Sequence, residues 1–169
     1  RVSIMTHTLN YGTGCFEGIR AYWNPDEEQL FIFRMPEHYE RLHQSSHILH
    51  CQLPYTVQQL GDITIELLRR EGFRQDTYIR PLVYKATEGI GVRLHNLEDA
   101  FALFALPYGK YVDSEEGCRA CVSSWRRLDD NMIPPRAKVV GSYVNSALCK
   151  TEAALNGYDE AIVLDEEGH

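Results

Sequence analysis

No apolar run in this 169-residue chain approaches the length of a membrane-spanning helix. The opening R-V-S-I-M-T-H-T-L-N is not built like a secretory leader, and it lacks an initiator methionine. Positive charge is scarce as well. Lys and Arg number 17 against 24 Asp and Glu, a net charge of −7 that argues against a nucleic-acid or anionic-membrane surface. Five cysteines are an odd number for a chain without a leader, so reduced thiols and a cytoplasmic location are expected. Cys118 and Cys121 form a single C-x-x-C on an apparent strand, where positions three apart face opposite ways, so zinc and redox chemistry are not expected.

Other familiar signatures fail on inspection. Gly12, Gly14 and Gly18 place the third glycine one residue late for a dinucleotide fingerprint. Ser123 and Ser124 lack a nucleophile elbow. His43 and His47, one helical turn apart with Glu40 beside them, could seat a metal, but they fall on the polar side of an amphipathic helix, where solvation is the simpler account. No metal is expected.

What is present is a globular core of ordinary composition, 44% hydrophobic and 24% charged, in a chain long enough for one large domain or one and a half smaller ones. Residues 19–23 and 30–34 read as a hairpin around N-P-D-E-E. Tyr39, Leu42, Ser46 and Leu49 predict a helix over 36–50, with Pro36 in its first turn. Thr56 and Gln59 form a capping box for a second helix, whose stripe is Val57, Leu60, Ile63, Leu67 and Leu68 and which ends at Gly72. Strands follow at 77–84, 100–106, 119–125 and 160–164, with a helix at about 142–156 carrying a buried stripe of Val144, Leu148 and Leu155. The expected class is α+β. A small N-terminal domain (1–106) precedes a linker (107–117) and the start of a larger domain (118–169).

Four lysines stand against thirteen arginines, and one of them is singled out by its surroundings. In N-M-I-P-P-R-A-K-V-V-G-S-Y-V-N (131–145), two prolines stiffen the approach, and Ser142 is placed to cap a helix from Tyr143. Lys138 therefore sits between a rigid entry and a helix N-terminus, where a partly buried amine can act on a carbonyl. A lysine snorkelling over an apolar patch fits the same residues. Arg41, beside the apolar stripe of its helix, suits a phosphate or carboxylate, or an intrahelical pair with Glu37. Tyr78 and Arg80 share one face of an otherwise apolar strand, where a charge needs a partner, a ligand or an outward orientation.

Seven segments in order resemble the fold-type IV pyridoxal-phosphate enzymes, and most closely the branched-chain amino acid aminotransferases. They are N-Y-G-T-G-C-F-E-G-I-R (10–20), H-Y-E-R-L (38–42), Y-I-R-P-L (78–82), G-I-G-V (89–92), P-Y-G-K-Y (107–111), S-S-W (123–125) and I-P-P-R-A-K-V-V-G-S-Y-V-N-S (133–146). The resemblance implies a pyridoxal 5'-phosphate cofactor and transamination between branched-chain L-amino acids and 2-oxoglutarate. By it, Lys138 forms the Schiff base and shuttles the proton, Arg41 grips the phosphate, and Tyr143 bonds the ring hydroxyl. Tyr78 would meet the substrate carboxylate, and Arg80 with Tyr11 and Tyr111 the distal carboxylate of glutamate. Phe16, Gly18 and Tyr108 would line the side-chain pocket. The loop ending at Val92 would reach a neighbouring subunit, which implies a homodimer or an assembly of dimers.

D-amino acid aminotransferases and aminodeoxychorismate lyases are the neighbouring alternatives, disfavoured by Y-I-R-P and F-E-G-I-R. A non-catalytic binding or assembly module is a further one. Family members continue into a serine-glutamate-glycine segment, whose glutamate pairs with the pyridine nitrogen. The chain stops at His169, so a fragment with impaired activity is expected.

Overall fold

Residues 14–24 and 77–85 pair along most of their length, and this pairing positions everything discussed below. The computed structural model describes residues 2–109 and 117–169. Strands β1 (Gly14–Phe16) and β2 (Ile19–Asn24) run antiparallel to β4 (Thr77–Lys85) in one register, with Phe16 opposite Leu82 and Ile19 opposite Ile79. Glu17 and Gly18 bridge them, and the Glu17 N–H donates to the Pro81 carbonyl at 3.0 Å. The two-residue period then divides the chain cleanly. Cys15, Glu17, Ile19 and Ala21 share one face with Thr77, Ile79 and Val83, whereas Phe16, Gly18 and Arg20 share the other with Tyr78, Arg80 and Leu82.

β2 continues into the predicted hairpin with β3 (Gln29–Ile32), and β5 (Asp99–Pro107) pairs with β4 along nine residue pairs. The hairpin turn is made locally, since the Asn24 side chain accepts from the backbone N–H of Asp26 and Glu27.

The first sheet face is covered by α2 (Met35–Ile48), with Pro36 in its first turn as predicted. Tyr39, Leu42, Ser45 and Ser46 are buried, and Ser46 Oγ meets Cys15 Sγ at 3.5 Å. α3 (Val57–Glu71) begins at the capping box of Thr56 and Gln59, formed in both directions, and ends at Gly72 with φ of 64°. Its buried residues are Leu60, Gly61, Thr64 and Leu68, and the Thr64 hydroxyl bonds that of Tyr39. Ile63 of the expected stripe is 37% exposed: Leu60, Thr64 and Leu68 sit four apart and leave it at the margin. Fully burying Tyr39, Leu42, Leu60, Ile19 and Ile79 stabilises by about 1.5–3 kcal/mol per apolar side chain. A short helix, α1 (His7–Tyr11), precedes β1.

The chain divides into two compact units, Arg1–Gly109 with Ala137–Val140, and Lys110–Arg136 with Gly141–His169. The four residues around Lys138 thus group with the first unit rather than with their sequence neighbours. In the second unit, β6 (Ala120–Val122) pairs in parallel with β7 (Glu160–Ile162), and α4 (Tyr143–Leu155) lies between them in sequence. β6 is shorter than the predicted 119–125, because at Ser123 and Ser124 both hydroxyls bond the Glu152 carboxylate and turn the chain.

Two expectations for α4 fail. Ser142 makes no side-chain cap, since its backbone is already helical (φ −68°, ψ −18°). The buried face is Cys149 and Ala153, while Val144, Leu148 and Leu155 are 66%, 39% and 83% exposed. These three lie on the opposite side of the helical wheel, and the small residues allow close packing on β7. Gly157, with φ of 78°, follows the helix.

Candidate functional site

Lys138 is brought to the sheet by backbone pairing. The Phe16 N–H donates to the Lys138 carbonyl at 3.1 Å, the Val140 N–H to the Gly14 carbonyl at 2.8 Å, and Cys15 bridges Val139. Residues 131–140 are irregular, and 137–140 pair through a single isolated bridge with the edge of β1 that β4 leaves open. The Lys138 N–H also donates to Ser45 Oγ of α2, at 3.3 Å.

Phe16 and Lys138 are direct cross-strand partners, so their side chains share a face. Lys138 Nζ lies 5.4 Å from the centre of the Phe16 ring. Among the described residues the amine has neither a hydrogen bond nor an ion pair. Burial lowers its pKa, the Arg41 and Arg80 charges lower it further, and only Glu17 opposes them. Lys85 is a useful contrast. It is buried, ion-paired to Asp99 at 2.9 Å and bonded to the His50 carbonyl at 2.6 Å, a structural lysine.

Beside Phe16 on the same face stand Tyr78 and Arg80. Arg80 donates from Nε and Nη2 to the Tyr78 hydroxyl (2.9 and 2.7 Å), and its guanidinium stacks 4.1 Å from the centre of the Phe16 ring. Of the alternatives left open for Arg80, the guanidinium is laid over an aromatic ring, with no ion pair among the described residues. Gly18 sits against Tyr78 so closely that a Cβ there would come within 2.5 Å of its hydroxyl. Tyr108 adds a ring 5.9 Å from that of Tyr78.

Arg41 does not pair with Glu37, which instead takes Arg34 at 2.7 Å. It reaches across to the sheet, donating from Nε and Nη2 to the two carboxylate oxygens of Glu17 (2.5 and 2.6 Å). His38 Nδ1 lies 2.9 Å from Glu17 Oε2. Burial pushes the Glu17 carboxyl up, but hydrogen bonds from Arg41 and His38, with the Arg41 and Lys138 charges, outweigh it and hold the pKa at about 2. An open cavity of about 180 Å³ lies against Arg41, lined also by Phe33, Arg34, Glu37 and His38.

The remaining expected site residues lie elsewhere. The Tyr11 hydroxyl accepts from the Gly91 N–H at 3.0 Å, and Val92 is 78% exposed on the same loop. His7, Glu88, Gly91 and Val92 line a cavity of about 620 Å³ there. Tyr143 belongs to the second unit, as the first residue of α4, and Tyr111 falls outside the described residues. Cys118 is exposed, Glu40 and His47 are exposed, and no group of three metal-ligating side chains occurs among the described residues.

Two residues escaped the sequence reading. Glu17 is fully buried, and Arg20, 3.8 Å from Asp76, carries a buried Nη1 with no hydrogen-bond partner among the described residues, its guanidinium 5.7 Å from the Tyr108 ring. A signal existed for both. They are charges inside the apolar run C-F-E-G-I-R-A, where the argument applied to Arg80 holds equally.

The donor set suits an aldehyde cofactor bearing a phosphate: an amine whose pKa burial lowers, and an arginine fork. Comparisons with known proteins agree. The chain is 50% identical over its full length to a probable branched-chain-amino-acid aminotransferase of Aquifex aeolicus, and spans 54% of that protein. It is 36% identical to the branched-chain-amino-acid aminotransferase of Escherichia coli K12, again over about half of it (55%). A solved branched-chain aminotransferase from Thermoproteus uzoniensis, crystallised with norvaline, superposes with a TM-score of 0.94 at 45% identity, covering 99% of this chain and 56% of that one. The branched-chain amino acid aminotransferase of Thermobaculum terrenum, solved in its PLP-bound holo form, gives 0.91 at 34% identity, with 99% and 55% covered. The family model for amino-transferase class IV matches residues 14–169. With that match across nearly all of its length, the chain belongs to the amino-transferase class IV family and has its fold-type IV architecture.

Proposed function

We propose that this chain is part of a pyridoxal 5'-phosphate-dependent aminotransferase acting on leucine, isoleucine and valine with 2-oxoglutarate as the amino acceptor. The observation that carries the reading is the Lys138 amine. It is held by strand pairing beside Phe16, without an ion-pair partner among the described residues, and burial lowers its pKa. The names of the relatives support the substrate class.

Bound there, the cofactor supplies an electron sink for the substrate α-carbon. The protein's own residues do the rest. Lys138 would hold the cofactor through its amine, and the same amine would carry the proton of the substrate α-carbon. Arg41 binds the phosphate. Tyr143, five residues beyond the lysine, is assigned to the ring hydroxyl. Tyr78 orients the substrate carboxylate, and Arg80, with Tyr11 and Tyr111, receives the distal carboxylate of glutamate. Phe16, Gly18 and Tyr108 shape the apolar pocket, where an arginine laid over a ring can serve both a branched side chain and a carboxylate.

The same reading takes 1–106 as the small domain, 107–117 as the linker and 118–169 as the start of the larger domain. It places the enzyme in the cytoplasm as a homodimer or an assembly of dimers. The exposed Ile90 and Val92 support a contact by that loop with a second subunit.

The test is borohydride reduction after incubation with pyridoxal phosphate, followed by peptide mapping. An adduct on Lys138, and not on Lys85, Lys110 or Lys150, supports the proposal. Unlabelled Lys138 refutes it and leaves a non-catalytic module.

A further inference from the structure

We infer that Glu17 is a positioning residue: its buried carboxylate brackets Arg41, presenting the guanidinium in one fixed orientation to a phosphate. This rests on the proposed roles of Arg41 and Lys138.

The bracket is built from three elements. The backbone of Glu17 is held to β4 by its N–H bond to Pro81. Its carboxylate takes Arg41 through both oxygens, and His38, three residues earlier on α2, meets the second oxygen. The Glu17 side chain is fully buried, whereas that of Arg41 is 47% exposed. The buried end is therefore the anchor, and the exposed end is what it aims. A long arginine side chain is otherwise flexible, and a planar fork held at two nitrogens loses that freedom before an anion arrives. A carboxylate on a sheet face otherwise filled by Cys15, Ile19 and Ala21 is costly unless its partners compensate fully, which these do.

The same residue touches the lysine through its neighbour. Phe16 gives its N–H to the Lys138 carbonyl, so Glu17 adjoins the strand pair that sets the amine. Its negative charge also opposes the pull of burial, Arg41 and Arg80 on Lys138. One buried carboxylate thus serves the phosphate grip and the protonation of the lysine together.

The experiment uses the intact enzyme with Glu17→Gln and Glu17→Asp. Two quantities are read: the ratio of affinities for pyridoxal phosphate and phosphate-free pyridoxal, and the pH at which borohydride traps half of Lys138 with pyridoxal. Glu17→Gln should lower the ratio by about tenfold and move the trapping midpoint about one pH unit lower, because a charge that raised the lysine pKa is gone. Glu17→Asp keeps the charge but shortens the reach, so it should lose the ratio and retain the midpoint. In an Arg41→Ala background, Glu17→Gln should change the ratio no further.

An unchanged or increased ratio in Glu17→Gln overturns the inference, as does an equal further fall in the Arg41→Ala background. If neither variant folds, the carboxylate is a requirement of the fold and the inference is again overturned. Absence of trapping at Lys138 in the unaltered enzyme refutes the cofactor reading and this inference with it, whereas trapping with an unchanged ratio refutes this inference alone.

Discussion

Phe16 and Lys138 face each other across an antiparallel pair, joined by a 3.1 Å hydrogen bond from the Phe16 N–H to the Lys138 carbonyl, with the lysine amine 5.4 Å from the ring centre. The same ring carries Arg80 at 4.1 Å. One aromatic ring therefore lies against both basic side chains.

Phe16→Ala should destabilise the protein by roughly 3–5 kcal/mol, since the ring is nearly fully buried and its removal leaves a cavity. Urea unfolding measures this. A midpoint equal to that of the unaltered protein would show that the ring is not packed as described.

Gly18→Ala tests the close approach of Tyr78. The added Cβ would meet the Tyr78 hydroxyl, the end of a side chain that can move, so the fold should survive while the Tyr78–Arg80 contact is displaced. The expected outcome is a rise in KM for the amino acid of about tenfold, equivalent to roughly 1.4 kcal/mol, with pyridoxal phosphate affinity unchanged. Equal losses in both would place Gly18 in the cofactor grip instead.

Glu17 predicts a specific acid sensitivity. Its folded pKa, about 2, lies below the ordinary 4.5, so ionised Glu17 favours the folded state. That contribution is fully present above about pH 4.5 and is lost as pH falls toward 2, on the order of 3 kcal/mol in total. Denaturant titrations from pH 6 to pH 2.5, compared with Glu17→Gln, measure it. Identical pH slopes in the two proteins would rule out the ion pair as its source.

Lys85 and Asp99 form a pair with both side chains nearly covered, 1% and 7% exposed. Asp99→Ala strands a buried ammonium and should cost roughly 3–5 kcal/mol, whereas Lys85→Met with Asp99→Leu should be close to neutral. Thermal unfolding of the three proteins separates these. A mild effect of Asp99→Ala would mean that water reaches the lysine.

Much of the local structure follows from sequence alone, where neighbouring residues carry the physics. The capping box at Thr56 and Gln59, the stop at Gly72, the hairpin around Asn24 and the buried stripe of Tyr39, Leu42 and Ser46 all depend on spacings of two to four residues. The segment containing Lys138 and the charges at Arg41 and Arg80 were legible as chemistry, though not as geometry. Where sequence spacing failed, the deciding contact came from far away. Arg41 prefers Glu17, 24 residues distant, to Glu37 on its own helix, because a buried carboxylate offers a stronger, water-free partner. α4 buries Cys149 and Ala153 instead of its larger apolar residues, because small side chains permit close approach to β7.

The residue types, the capping box of α3 and the buried stripe of α2 were settled by the sequence itself. Only the tertiary structure decided that 137–140 would close the open edge of β1, setting Lys138 across from Phe16. The reason is physical: an unpaired strand edge must find backbone partners, and no local spacing says which distant segment will supply them.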